Sequence, residues 1–394
     1  MKQAKIISGI DIGTSKISVV ICQLKSANDI EILGLGTSVL KNVQKGLIRD
    51  ESLFVNALQN AIKRAQVASG CLVKDIFVNV HSGNKRFTIE TGIVHCKSDH
   101  QPLTKDHQQQ AMKKSVHCID KKNQSVLHLL PIYQRIDGQH SNELNVPFFN
   151  QLEVDTGVIL CDTANLKMIH TNLKKLGFKI NGVISDYLAM GAMHSPNDST
   201  DGHLMIDIGA QVTSFCVYSM GRLQFAHSID IGSEQITKDL SICLKCSLSE
   251  AERIKVLHGQ VEKISSELGT HIPIHCHDGQ KMVKLSLITS IIESRINQLF
   301  QFINKYLIHA PSFANISLIG SGANLTGLPQ WVEKKLQKER RPPMDGLFST
   351  PQVNSNYMIA MGQIIYGHRI GLLKNPSPSF FQSVASKLMS FGQA

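Results

Sequence analysis

The chain has 394 residues, of which 42% are hydrophobic and 18% charged, an ordinary soluble globular composition that excludes disordered and fibrous classes. Its longest apolar runs, such as 157–161 and 285–292, fall far short of the roughly 20 residues a membrane-spanning helix needs, and residues 1–11 show no signal-peptide core. A cytoplasmic protein of two domains or two lobes is expected, and the net charge of +10 suggests an anionic partner.

Nucleic acid is disfavoured as that partner. The Lys and Arg residues are dispersed, apart from Lys334-Lys335 and 338–341, and no aromatic side chains are interleaved with them as a single-strand-binding face requires. Nine cysteines, mostly single within apolar patterns, fit a reducing compartment. Cys243 and Cys246 have C-x-x-C spacing, with His271, His275, Cys276 and His277 downstream, so a zinc site competes with two helix-face thiols. The helical period across 234–245 and the lack of a second C-x-x-C favour the thiols.

Three short strands, 6–12, 17–24 and 30–37, open the chain as an antiparallel meander. A helix is predicted over 52–68, with Leu53, Val55, Leu58, Ile62, Ala65 and Val67 on one side, then a strand over 76–80. From 83 the texture turns rich in His and Gln, with strands predicted at 87–96 and 126–133 and a helix at 104–118, which reads as an inserted α+β subdomain. The α/β rhythm returns with a strand at 157–161, a helix at 164–176 ending at Gly177, and a strand at 180–184. A second meander follows at 204–208, 213–218 and 222–230, so the chain contains an internal duplication. Helices are then expected at 233–245, 249–257, 285–306 and 328–338, with a strand at 316–319.

The tetrapeptide Ile-Asp-Ile-Gly occurs three times, at 10–13, 206–209 and 229–232, each time closing an apolar strand-like run. A carboxylate at a strand end, followed by a glycine turn, can hold the hydration shell of Mg²⁺ beside a phosphate. One such turn is ordinarily only a turn, but two duplicated copies and a late Gly320-Ser321-Gly322-Ala323-Asn324 resemble the three loops with which actin, Hsp70 and hexokinase superfamily members hold ATP between two lobes.

Within that superfamily the chain resembles the FtsA family of bacterial cell-division proteins. The resemblance rests on 9–16, Lys45-Gly46-Leu47-Ile48-Arg49-Asp50, Ser82-Gly83, 126–131 with Tyr133, Asp137 and Gly138, then 236–240, 249–255 and 292–295. It implies an α/β actin-like bilobed fold, with lobe one at 1–82 and 159–194, the inserted subdomain at 83–158, lobe two at 195–370, a linker at 371–379 and a terminal amphipathic helix at 380–394. It also implies roles. Gly13, Thr14, Ser15 and Lys16 would meet phosphates, Asp11 and Asp207 would hold Mg²⁺ through water, and Gly209, Gln211 and Thr213 would form the second phosphate loop. Gly232, Lys238, Glu252 and Lys255 would lie near the nucleoside, Gly320 and Gly322 would form the adenosine loop, and Asp186 would sit near the attacking water. The second loop departs from the family's Asp-Ile-Gly-Gly-Gly-Thr-Thr-Asp, reading Asp207-Ile208-Gly209-Ala210-Gln211-Val212-Thr213-Ser214, so restricted φ and crowding of the phosphates are expected there. At most a slow ATPase is expected, with nucleotide acting as a conformational switch.

By the same resemblance the protein would polymerise, anchor the tubulin-like FtsZ to the inner face of the bacterial membrane at the division septum, and help recruit other division proteins. The FtsZ tail, an acidic peptide, would dock near Arg295 with Lys284 as a second cation. On a helix, Phe380, Phe381, Val384, Leu388 and Phe391 fall within about a 100° arc after a Pro-containing linker, which points to an interfacial membrane helix or to a last helix packed on the body. A pilus-assembly relative, a sugar kinase and an Hsp70-like ATPase are the competing functions; neither a kinase substrate insert nor a peptide-binding domain is identifiable in the sequence.

Overall fold

The structure is a computed structural model that describes residues 5–24, 30–80, 84–96, 102–141, 143, 146–193, 201–262, 269–341 and 354–373. The expected membrane helix, including Phe380, Phe381, Val384, Leu388 and Phe391, lies outside the described residues.

The chain begins with β1 (Lys5–Ile12), β2 (Lys16–Leu24) and β3 (Ile30–Val39), then a small hairpin, β4 (Val43–Gln44) and β5 (Leu47–Ile48). Helix α1 (Glu51–Ser69) starts where the Asp50 carboxylate accepts the Leu53 N–H at 3.0 Å and ends at Gly70 in the left-handed conformation, φ 66°. Its buried stripe is Phe54, Ala57, Leu58, Ala61, Ile62 and Ala65, while Leu53 and Val67 are exposed, so the apolar face is rotated from the sequence expectation. Backbone contact decides this rotation. Gly34 and Gly36 of β3 leave room only for the Ala61 and Ala65 turns to lie directly on the strand.

After β6 (Asp75–Val78), the insertion forms β7 (Arg86–His95), α2 (Lys105–Ser115), β8 (Gln124–Ile136), β9 (Gln139–His140) and β10 (Gln151–Asp162), with sheet order β7-β10-β8-β9. Strand β10 crosses the expected boundary at 158. Its first half, with Leu152 and Val154, lies in the insertion's core, whereas Ile159 and Cys161 join the core of lobe one. Lobe one then resumes with α3 (Thr163–Lys175), β11 (Lys179–Val183) and α4 (Asp186–Ala192).

Lobe two contains β12 (His203–Ile208), β13 (Thr213–Ser219), β14 (Arg222–Ile229), α5 (Ser233–Leu244), α6 (Leu248–His258), the hairpin β15 (His271–Cys276) and β16 (Gly279–Lys284), α7 (Leu285–Leu307), β17 (Asn315–Ile319), α8 (Leu328–Leu336), β18 (Glu339–Arg340) and finally α9 (Met358–Arg369). The first sheet has the order β11-β6-β1-β2-β3, and the second, read from its other edge, β18-β17-β12-β13-β14. The duplication therefore extends to every strand: an antiparallel meander, with two parallel strands added beside its first member.

Both faces of each sheet are covered, which explains why β1 and β12 read as nearly continuous apolar runs. In lobe two, Leu204, Ile206, Ile208, Phe215 and Val217 face α5, α6 and α7, while Met205 and Cys216 face the other lobe. Helices α4 and α9 fill the space between the sheets. A Cβ on Gly9 would collide with the Ala360 carbonyl of α9, and one on Gly362 with the Ala189 carbonyl of α4. The expected lobe-two boundary at 370 is corrected by this packing: Ile359, Ala360, Met361, Ile364 and Ile365 of α9 belong to the core built on β1, β2 and β6.

Candidate functional site

Asp11 and Asp207 occupy equivalent places near the ends of β1 and β12. Asp11 is in register with Ser18 and Asp207 with Ser214, and each lies on the sheet face turned toward the other lobe. The turns that follow close alike, Gly13 N–H donating to the Lys16 carbonyl and Gly209 N–H to the Val212 carbonyl, both at 3.0 Å. Neither Ala210 nor Gln211 adopts positive φ, so the glycine losses in the second turn do not strain its backbone, contrary to expectation. What the substitutions change is side-chain reach.

The Asn79 amide clamps the first turn, donating to Asp11 Oδ1 at 2.6 Å and accepting the Ile12 N–H at 2.7 Å. Burial pushes the Asp11 carboxyl up to about 6 against the Asn79 hydrogen bond and the Lys16 charge. Asp207 is pushed further, to about 8, by burial and by the nearby Asp11 and Asp186 carboxylates. Gly320, at φ 84°, sits directly behind Asp207; a Cβ there would strike its Oδ1, which explains the glycine in the third loop.

Asp186, expected beside an attacking water, is instead bound on both oxygens. Oδ1 takes Lys85 Nζ, Ser185 Oγ at 3.1 Å and the Tyr187 N–H at 2.9 Å, while Oδ2 accepts Ser214 Oγ at 2.9 Å. The Lys85 ammonium also lies 4.0 Å from the centroid of the Tyr187 ring. Lys85 was not legible as a site residue, because a lone Lys before a strand has no distinguishing pattern. The insertion contributes too: His128 of the 126–131 segment accepts the Ser185 N–H on Nε2 at 3.1 Å, and burial lowers its pKa to about 3, keeping it neutral.

A cleft of about 440 Å³ opens in front of the turns, lined by Ser15, Lys16 and Ala210 at one end and by Glu252, Lys255, Gly322 and Leu325 at the other. Lys16 bonds Asn356 Oδ1, and burial lowers its pKa against the pull of Asp11 and Asp207. Lys255 holds Glu252 at 2.7 Å and Thr237 Oγ1 at 2.9 Å. Gly232 caps α5, where the second turn's own carbonyls accept the first helical amides: Ser233 N–H to Gly209 and Glu234 N–H to Ala210. Ser233, Glu234, Val256, Gly259, Ser321, Asn324, Thr326 and Asn356 also line it, and as loop or helix-face residues of no special type they were not singled out as site residues from the sequence.

Three residues expected near the nucleotide have other partners in the structure. Thr213 is buried, its hydroxyl donating to the Ile231 carbonyl at 2.7 Å. Lys238 is not itself a lining residue but pairs at 2.9 Å with Glu234, which is. Gln211 turns its amide toward lobe one, to Val43 and Lys45.

Elsewhere, Arg295 of α7 makes a two-pronged bond to Asp239 of α5, at 2.5 and 2.7 Å, in a groove lined also by Ser290, Ile291, Ser294, Asn297 and Gln301. Lys284 caps the start of α7, outside that groove. Cys243 is exposed, whereas Cys246 is buried and pairs through its backbone with Cys276, both thiols being free.

A sequence profile described as Cell division protein FtsA matches residues 204–362. The cell division protein FtsA of Buchnera aphidicola subsp. Acyrthosiphon pisum is 26% identical over 86% of this chain and 84% of its own length. That of Borreliella burgdorferi is 24% identical over 92% of this chain and 91% of its own. Among solved structures, the PilM–PilN type IV pilus biogenesis complex has a chain that superposes with a TM-score of 0.67 at 14% identity, covering 92% of this chain and 98% of its own. MreB5 of Spiroplasma citri bound to ADP does so at 0.57 and 12%, covering 94% and 99%. The chain is therefore a relative of the cell division protein FtsA, built on an actin-like fold.

Proposed function

We propose that this protein binds ATP or ADP with Mg²⁺ between its lobes and uses the nucleotide as a switch for assembly on the inner face of the membrane, where it tethers FtsZ. The observation that carries the nucleotide reading is the pair of register-matched aspartates, Asp11 and Asp207, on the strands that run into the two turns whose Ser15, Lys16 and Ala210 line the cleft with Lys255 and Gly322. Two carboxylates, Asp207 buried and Asp11 half-buried, both held up in pKa, are an oxygen donor set that a divalent cation would stabilise, so the residues fit Mg²⁺. Bound there through water, the ion would offset phosphate charge.

The chain's own groups supply the rest. Lys16 would leave Asn356 for a phosphate oxygen, Ser15 would offer its amide and hydroxyl, and Val256 and Leu325 would flank the base. Asp186, fully occupied by Lys85, Ser185 and Ser214, would set the spacing between the turns and would not accept a proton from water, which favours slow or no hydrolysis. Fold likeness to MreB5 carrying ADP, and to MreB5 carrying AMPPNP at a TM-score of 0.56, supports a nucleotide in this cleft.

FtsZ tethering and membrane attachment rest on the FtsA relatives, the Arg295 groove and the amphipathic pattern of 380–394. A pilus-assembly role is the second reading, favoured by the fold likeness to PilM, whereas the sequence relatives favour division. Titration with labelled ATP and ADP in Mg²⁺ tests the site: wild type should bind, and Asp11→Ala should weaken binding by at least about tenfold. Equal affinity in the variant would reject the site.

A further inference from the structure

The turn after Asp207 touches the turn after Asp11 through Gln211. The Gln211 N–H donates to Thr14 Oγ1 at 3.1 Å, its side-chain Oε1 accepts the Lys45 N–H at 3.0 Å, and its Nε2 donates to the Val43 carbonyl at 3.0 Å. These three bonds join the second turn to lobe one, two of them to the hairpin β4–β5, and Lys45 Nζ adds a pairing with Asp230 of lobe two at 3.5 Å. The hairpin is shaped for this. Asn42, Lys45 and Gly46 all take left-handed backbone conformations, which presents the Val43 carbonyl and the Lys45 amide. A glycine at 211 would have no side chain to reach it.

The consequence for the cleft is geometric. Ser15, Lys16 and Ala210 line it, and their chain neighbours Thr14 and Gln211 bond each other across the lobes. The hydroxyl and amide best placed to meet a terminal phosphate are thus already bonded across the lobes. We infer that Gln211 is a specificity-determining residue that holds the lobes together without a terminal phosphate, so that the site takes a nucleoside diphosphate at least as well as a triphosphate. This rests on the nucleotide reading of the cleft.

A third phosphate gains little because the side-chain bonds of Gln211 to Val43 and Lys45 hold its backbone N–H on Thr14, and a phosphate must displace that anchored contact; a ligand that binds two states equally shifts neither. By the same contacts, the lobes should stay together without bound nucleotide. This separates closure from phosphate count, so assembly of the wild type should depend weakly on which nucleotide is present.

The test uses the full chain, with Gln211→Gly and, retaining a β-carbon, Gln211→Ala. Calorimetric titrations with Mg·ADP and Mg·ATP should give wild-type affinities within about threefold of each other or favouring ADP, and Gln211→Gly should shift the ratio about tenfold toward ATP. Hydrogen exchange on the nucleotide-free protein supplies an independent readout: the Lys45 amide should be protected in wild type and exchange at least about tenfold faster in both variants. A wild type that prefers ATP by about tenfold or more overturns the inference, as does equal Lys45 exchange in wild type and variants. Failure of both nucleotides to bind overturns the cleft assignment and the specificity with it, and the exchange arm tells that outcome apart from absence of the latch.

Discussion

Lys85 and Asp186 form an ion pair whose two side chains are 0% and 2% exposed, placed between the strand ends that carry Asp11 and Asp207. The pair joins the segment that opens the insertion, just before β7, to the start of α4, and Ser214 Oγ extends the network to lobe two. Removing one partner leaves an uncompensated charge in the interior, which costs more than the pair contributes when intact.

Lys85→Met is therefore expected to destabilise the protein by about 3–5 kcal/mol, read as a lower midpoint of urea unfolding. Combining it with Asp186→Leu should recover much of the loss. A Lys85→Met protein with an unchanged midpoint would contradict the buried pairing.

His128 sets the acid side of the stability profile. Folded, its pKa is lowered to about 3 by burial, whereas an unfolded histidine titrates near 6.5, so between these values the unfolded state binds the extra proton. Its contribution is complete above about pH 6.5 and declines as pH falls toward 3, by up to about 1.4 kcal/mol per pH unit. His128→Gln keeps an acceptor for the Ser185 N–H but cannot titrate, so its stability should fall less steeply between pH 6 and about pH 4 in chemical denaturation. Parallel profiles for both proteins would refute this.

Arg295 is already engaged by Asp239, so an acidic peptide must compete for the guanidinium. Asp239→Asn is expected to strengthen binding of a fluorescent acidic FtsZ-tail peptide, and Arg295→Glu to weaken it, each by about tenfold in anisotropy titrations. A rise in affinity with Arg295→Glu would place the docking site elsewhere.

Deleting 379–394 removes the apolar arc of Phe380, Phe381, Val384, Leu388 and Phe391. If these residues make the proposed membrane contact, co-sedimentation with anionic liposomes should fall to background in the deletion. Undiminished sedimentation would assign membrane contact to another surface.

Much of the architecture was legible because it is written in local periodicity. The meanders at Asp11 and Asp207, the helices α3, α5 and α7 and the insertion all follow from apolar spacing and turn residues, and their ends agree within a few residues. The rotated face of α1 was not, because Gly34 and Gly36 lie on another element and choose Ala61 and Ala65 over Leu53 and Val67. Helix α9 joined lobe one for a similar reason: its glycines and alanines fit Gly9 of β1 and Ala189 of α4, contacts that join opposite ends of the chain.

For the site, the sequence by itself determined the carboxylates and the glycines, since a strand-end Asp followed by a turn is a local pattern. Only the tertiary structure decided what those groups face. Asp186 became a partner of Lys85, Thr213 a tie to Ile231, and Gln211 a bridge to Val43 and Lys45. Side-chain destinations across a cleft depend on which surfaces the fold brings within hydrogen-bond reach of about 3 Å, and no spacing along the chain encodes that distance.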